Sequence, residues 1–116
     1  MAEFQEIVSI ADLAALIRQS GKQPVLFFKH SNTCGISQRA FVEFERYLQS
    51  PESLAVLNCV IVVQKAREVS NELATLSEIQ HESPQAILFR GGKVVWNDSH
   101  MALKSESLKS AVKLIR

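Results

Sequence analysis

Cysteine is scarce in this chain, and so are the residues that interrupt regular structure: its 116 residues include two Cys, three Pro and four Gly. Two thiols do not make the disulfide framework that staples small secreted domains, and in a reducing compartment such thiols are either reactive or buried. No apolar run approaches the roughly 18 residues of a membrane span. Charge of one sign is missing as well. Thirteen basic and 12 acidic residues, spread along the chain, leave a formal net charge of +1, which gives no electrostatic footprint for nucleic acid or a membrane surface. Neither partner is expected. The first residues, Met1-Ala2-Glu3-Phe4-Gln5-Glu6, are acidic where a secretory signal would be basic, so a cytoplasmic protein is expected. No repeat, linker or low-complexity segment breaks the chain.

What is present is apolar. Hydrophobic residues make up 47% of the sequence, enough for one domain over residues 1–116 to bury a core without disulfides or a structural metal. After a short N-terminal strand, Ser9 and Asp12 read as a capping box, and Leu13, Leu16 and Ile17 give a helical face that stops at Gly21. Pro24 to Phe28 is a continuous apolar run, the pattern of a strand buried on both faces. Ile36, Ala40, Phe41, Phe44 and Leu48 then follow the helical period until Ser50-Pro51. Leu57 to Val63 repeats the buried-strand pattern, and Val69, Leu73, Leu76 and Ile79 mark the next helix. Ala86–Phe89 and Lys93–Trp96 flank Gly91-Gly92, a pair suited to a tight hairpin. A last helix, with Ser105 as its cap, buries Leu108, Val112 and Ile115, while Lys113 and Arg116 suit its C-terminal end. Alternating strands and helices force right-handed parallel crossovers, and the hairpin adds an antiparallel edge. The pattern predicts an α/β thioredoxin-like fold: a central mixed sheet in the order βαβαββα, flanked by helices.

Cys34 falls at the junction of the first buried strand and the helix after it, in Lys29-His30-Ser31-Asn32-Thr33-Cys34-Gly35-Ile36-Ser37. Unpaired amides and the dipole at a helix N-terminus favour negative charge, so the thiolate is stabilised there and Cys34 is the expected nucleophile. Lys29 and His30 either add positive potential near the sulfur or end their strand in solvent. A helix-capping cysteine without reactivity is the bland alternative. Three residues on, where dithiol redox motifs carry a second cysteine, stands Ser37. Its hydroxyl can hydrogen-bond a thiolate but cannot attack sulfur, so a mixed disulfide on Cys34 needs an outside thiol for release. The chemistry is monothiol. Cys59, inside an apolar strand, reads as a core residue, against a rival reading as a resolving or regulatory thiol.

Pro84 lies just before the hairpin, where a thioredoxin fold holds a cis proline opposite the reactive cysteine. The backbone of Ser83 is then free to pair with an extended substrate segment; an ordinary trans proline opening an edge strand is the alternative. Trp96 is either a contact residue or packed at the hairpin end. His30, His81 and His100 are far apart in sequence without paired ligand spacing, so no metal site is expected.

With these residues in place, the chain resembles the monothiol bacilliredoxin family. The similarity rests on Phe28-Lys29-His30-Ser31 leading into Thr33-Cys34-Gly35-Ile36-Ser37, and on His81-Glu82-Ser83-Pro84-Gln85-Ala86-Ile87-Leu88-Phe89-Arg90 with Gly92-Lys93. Proline often follows the reactive cysteine in that family, so Gly35 is a departure that loosens the first helical turn. The resemblance implies a thiol-disulfide oxidoreductase that removes bacillithiol from mixed disulfides on S-thiolated proteins. Cys34 would carry the covalent step, and Thr33, Gly35, Ile36, Ser37, Ser83 and Pro84 would bind or orient the substrate. Bacillithiol would be a co-substrate rather than a tightly bound cofactor. Two rival readings stand beside this one. Cys34-Gly35-Ile36-Ser37 is close to the motif of monothiol glutaredoxins, which carry a [2Fe–2S] cluster with glutathione; the glycine pair with aspartate that follows the hairpin in those proteins is replaced here by Trp96-Asn97-Asp98-Ser99-His100. A non-catalytic thioredoxin-fold adaptor docking partners along the Ser83 edge is the other.

Overall fold

The Ser9 hydroxyl accepts the Asp12 amide at 3.1 Å and opens a helix over Ile10–Gln19 (α1), which follows a short strand, Phe4–Glu6 (β1). These and the later elements come from a computed structural model that describes residues 2–115. The remaining elements are β2 (Val25–His30), α2 (Gly35–Leu48), β3 (Leu57–Val62), α3 (Arg67–Ser77), β4 (Gln85–Arg90), β5 (Lys93–Ser99) and α4 (Ser105–Ile115), with short 3₁₀ turns at Pro51–Ala55 and His100–Ala102. The expected βαβαββα order runs from β2 to α4, with β1 and α1 ahead of it. The sheet is ordered β1-β3-β2-β4-β5; β1, β3 and β2 are parallel, and β4 and β5 are antiparallel to their neighbours.

Because successive strand residues face opposite sides, β2 feeds two cores. Leu26 and Phe28 join Phe44 and Tyr47 of α2 and Leu108 and Val112 of α4 on one face. Val25 and Phe27 join Leu13 and Leu16 of α1 and Val69 and Leu73 of α3 on the other. Phe28 and Phe44 stack with centroids 4.8 Å apart. Each such fully buried side chain contributes roughly 1.5–3 kcal/mol, and the sheet is held between two helical layers. Trp96 is half-buried and packs against the α2/α4 core.

Two local expectations, one on α3 and one on α4, are corrected. Helix α1 stops before Gly21, as expected, with Ser20 as its C-cap: the Ser20 amide reaches the Leu16 and Ile17 carbonyls, and its hydroxyl donates to Ile17. Ser20 also receives the hairpin, its carbonyl and hydroxyl accepting the amides of Gly91 and Gly92 at 2.7 and 2.9 Å. Both glycines have positive φ, 66° and 77°, which the tight turn requires. Helix α3 stops at Ser77 because Glu78 takes the left-handed conformation, so Ile79 packs from outside the helix and Leu76 is left exposed. Ser105 is the first residue of α4 rather than its cap. Its amide donates to Glu43 Oε1 at 3.0 Å, and the Ser107 hydroxyl accepts the Lys104 amide at 2.9 Å. Arg116, expected at the end of α4, lies outside the described residues.

Candidate thiol-exchange site

Strands β2 and β3 are parallel and end side by side, so the loops leaving them meet at one edge of the sheet. Cys34 stands at that edge as the N-cap residue of α2, in extended conformation. Its carbonyl accepts the Gln38 amide at 3.0 Å, the first bond of the helix. The amides of residues 35–37 therefore lie outside the helical ladder, next to the sulfur's own residue. The Cys34 side chain makes no cap hydrogen bond and is partly exposed.

The loop before Cys34 is clamped by a residue the sequence reading passed over. Gln64, just beyond β3, donates from Nε2 to Ser31 Oγ at 2.7 Å and to Thr33 Oγ1 at 3.2 Å, and its Oε1 accepts the Asn32 amide at 3.2 Å. Its only signal in the sequence is position: a long amide ending an apolar strand, at the sheet edge where the neighbouring strand also ends.

Ser37, whose hydroxyl is of a kind that can hydrogen-bond a thiolate, is fully buried, and that hydroxyl accepts the Ser31 amide at 2.8 Å and meets His30 Nδ1 at 3.1 Å. Those bonds tie the end of β2 to the first turn of α2, and Cys34 is not among its partners. Burial pushes the His30 imidazole below its ordinary value, with hydrogen bonding at Ser37 acting the other way. Gly35 and Ile36 are exposed, Ile36 at 41%. A Cβ added at Gly35 would meet nothing within 4 Å.

Ser83-Pro84 is a cis peptide. Pro84 directly precedes β4, whose first residue, Gln85, lies opposite Lys29 of β2, so it shares the sheet edge with the β2–α2 loop. The Pro84 carbonyl accepts the His100 amide at 3.0 Å, and His100 Nε2 meets Glu82 Oε2 at 2.7 Å. The proline loop is thereby fastened to the turn after β5. The Ser83 hydroxyl is buried without a hydrogen-bond partner. Between α2 and the turn after β5 runs an open groove of about 470 Å³, lined by Ile36, Arg39, Val42, His100, Met101 and Lys104, among others.

Lys29 does not end its strand in solvent. It is fully buried, and burial pushes its ammonium down to about 8. Cys59 is fully buried, with its thiol pushed up to about 12 by burial, the environment of an inert core residue. Both cysteines are free. Among the described residues no cluster of three or more His, Cys, Asp or Glu side chains is placed to hold a metal ion, and no helix is long and apolar enough to cross a membrane.

Residues 5–108 match the family model described as monothiol bacilliredoxin BrxC. Among solved structures, a protein described as a candidate oxidoreductase with a thioredoxin fold is similar at a TM-score of 0.80 and 32% identity, over 91% of this chain and 90% of that one. Thioredoxin from Fasciola hepatica matches at 0.78 and 16% identity, over 97% of this chain and 100% of its own. Thioredoxin from Malassezia sympodialis matches at 0.77 and 17%, over 98% and 91%. The last two, at such identity, show the fold alone, and that fold is the thioredoxin fold.

Proposed function

This chain belongs to the monothiol bacilliredoxin family, and we propose that it removes bacillithiol from S-thiolated proteins through Cys34 alone. Family and fold support a thiol redox function in general; the specific reaction is our reading. The observation that carries it is what stands at the two positions from which a resolving thiol would have to come: a serine at 37 and a buried cysteine at 59. Ser37 is held by Ser31 and His30, and Cys59 is sealed in the core. With no second thiol within reach, the exchange goes through an outside one.

The Cys34 thiolate attacks the bacillithiol sulfur of the protein–bacillithiol disulfide, and the protein leaves as its thiolate. The bacillithiol is then held on Cys34 as a mixed disulfide. A second low-molecular-weight thiolate attacks the bacillithiol sulfur of that adduct, forming a small disulfide and returning Cys34 as thiolate. Electrons balance at each step, since one S–S bond breaks as another forms. The free amides at the start of α2 receive the charge on sulfur. Thr33, Gly35 and Ile36 border the reacting sulfur, Ser37 fixes the helix start, and the Ser83-Pro84 backbone offers a strand-like edge to an extended substrate. Two free cysteines fit a reducing cytoplasm.

The test is intact mass of reduced protein after incubation with one carrier protein, bacillithiolated or glutathionylated, beside a Cys34→Ser control. Transfer of the bacillithiol mass to the wild type only, faster than transfer of glutathione, supports the reading. Transfer to neither supports the adaptor, and a coloured protein after anaerobic purification supports the cluster carrier.

A further inference from the structure

A buried ammonium without a carboxylate partner is an expensive feature, and exchange at Cys34 makes no use of the one found here. Lys29 forms none of the described ion pairs. It points to the α1/α3 side of the sheet, as Phe27 does, and its Nζ donates to the Ser70 carbonyl of α3 at 3.0 Å and to His81 Nδ1 at 3.1 Å. The Ser70 hydroxyl also reaches His81 Nδ1, at 3.3 Å. His81 stands three residues before the cis proline. Across the sheet Lys29 faces Gln85, whose Nε2 donates to the Gln80 carbonyl at 3.0 Å. Residues 80–85 are thus held from beneath at two points, and the Lys29 point is the one that reaches both β2 and α3.

We propose that Lys29 is a positioning residue for the Ser83-Pro84 edge, acting through His81: its ammonium ties the proline loop to β2 and α3 and so sets the backbone on which a thiolated protein docks. This rests on the reading that Cys34 exchanges with thiolated proteins docked there. His81 Nδ1 can accept from an ammonium only in the neutral tautomer that carries its proton on Nε2. The charged groups facing it are Lys29 from β2, Arg67 from α3 and its neighbour Glu82. Burial first, then the Lys29 charge, keep its imidazole below the ordinary value, in the accepting form.

Four variants test this: Lys29→Met, which keeps the stem and loses the donors; His81→Asn, which keeps an acceptor near the Nδ1 position; His81→Leu, which does not; and the double variant Lys29→Met/His81→Leu. Each is read by bacillithiol transfer from a thiolated protein, by alkylation of Cys34 with iodoacetamide, and by amide hydrogen exchange over residues 79–85. The expected result is transfer slowed about tenfold, the scale of one lost hydrogen bond, in Lys29→Met and His81→Leu, with alkylation unchanged and faster amide exchange in the loop. His81→Asn stays near wild type, and the double variant is no slower than either single one. Wild-type transfer and loop protection in folded Lys29→Met would overturn the proposal, as would His81→Asn failing as badly as His81→Leu. Alkylation and transfer falling together would also overturn it, because Lys29 would then act on the sulfur itself. Should Lys29→Met not fold, the His81 pair decides. If the wild type transfers no bacillithiol, the exchange reading fails separately and loop protection alone decides the role of Lys29.

Discussion

The Ser31 amide donates to the Ser37 hydroxyl at 2.8 Å, in a buried contact that joins the loop before Cys34 to the helix after it. Where a dithiol enzyme carries its resolving sulfur, this chain carries a structural bond. Ser37→Ala removes that acceptor and leaves a buried amide unpaired, at a cost of about 1–3 kcal/mol. A urea unfolding midpoint lowered accordingly, with Cys34 still forming its adduct, is the expected outcome.

Ser37→Cys puts a thiol three residues from Cys34 and loses both hydrogen bonds. The variant should release bacillithiol from Cys34 by forming an internal disulfide. Mass spectrometry without added thiol should show the protein two hydrogens lighter in place of the adduct, at reduced stability.

Gly35 opens α2 where a Cβ meets nothing within 4 Å. Cys34 before it is extended, with φ −109° and ψ 126°, the region that suits a residue preceding proline. Gly35→Ala and Gly35→Pro should both raise stability, by roughly 0.4–1 kcal/mol through lower freedom of the unfolded chain. A fall in the unfolding midpoint for the proline variant would mean that the Gly35 amide has a partner the fold needs.

Two buried groups give stability opposite slopes with pH. Lys29 is lowered from 10.5 to about 8, so between these values the unfolded chain binds the extra proton and stability rises with pH. Cys59 is raised from 9.0 to about 12, so its contribution is whole below pH 9 and is lost as pH rises above that. From pH 8 to 9 Lys29 acts alone of the two, with a slope of at most about 1.4 kcal/mol per pH unit. Urea unfolding at pH 8 and pH 9 should show the wild type gaining stability relative to Lys29→Met. An equal change in both proteins would contradict the assignment.

The strands β2 and β3 were legible because both faces of each are buried, and a doubly buried strand leaves a run of apolar residues. The Ser9 cap was legible because its partner is three residues away. Cys34 could be picked out at the junction of β2 and the helix after it, Ser37 by its spacing from Cys34, and Pro84 by its place just before the hairpin. Lys29 and Gln64 could not be placed, since their partners lie 41 and 33 residues away in sequence and only the assembled sheet edge brings them together. The direction of the Ser37 hydroxyl was not legible for a related reason. A serine in the first turn of a helix can face the thiol or the preceding loop, and only the path of residues 31–33 decides which.

The central claim is that Cys34 works without a partner thiol in its own chain. Wild type and Cys59→Ala, fully reduced and then mixed with a bacillithiolated protein in the absence of free thiol, give the most direct test by intact mass. Both proteins should carry one bacillithiol, stable until a low-molecular-weight thiol is added and then lost. A wild-type product two hydrogens lighter, absent in Cys59→Ala, would mean that Cys59 resolves the adduct, and the monothiol account would be wrong.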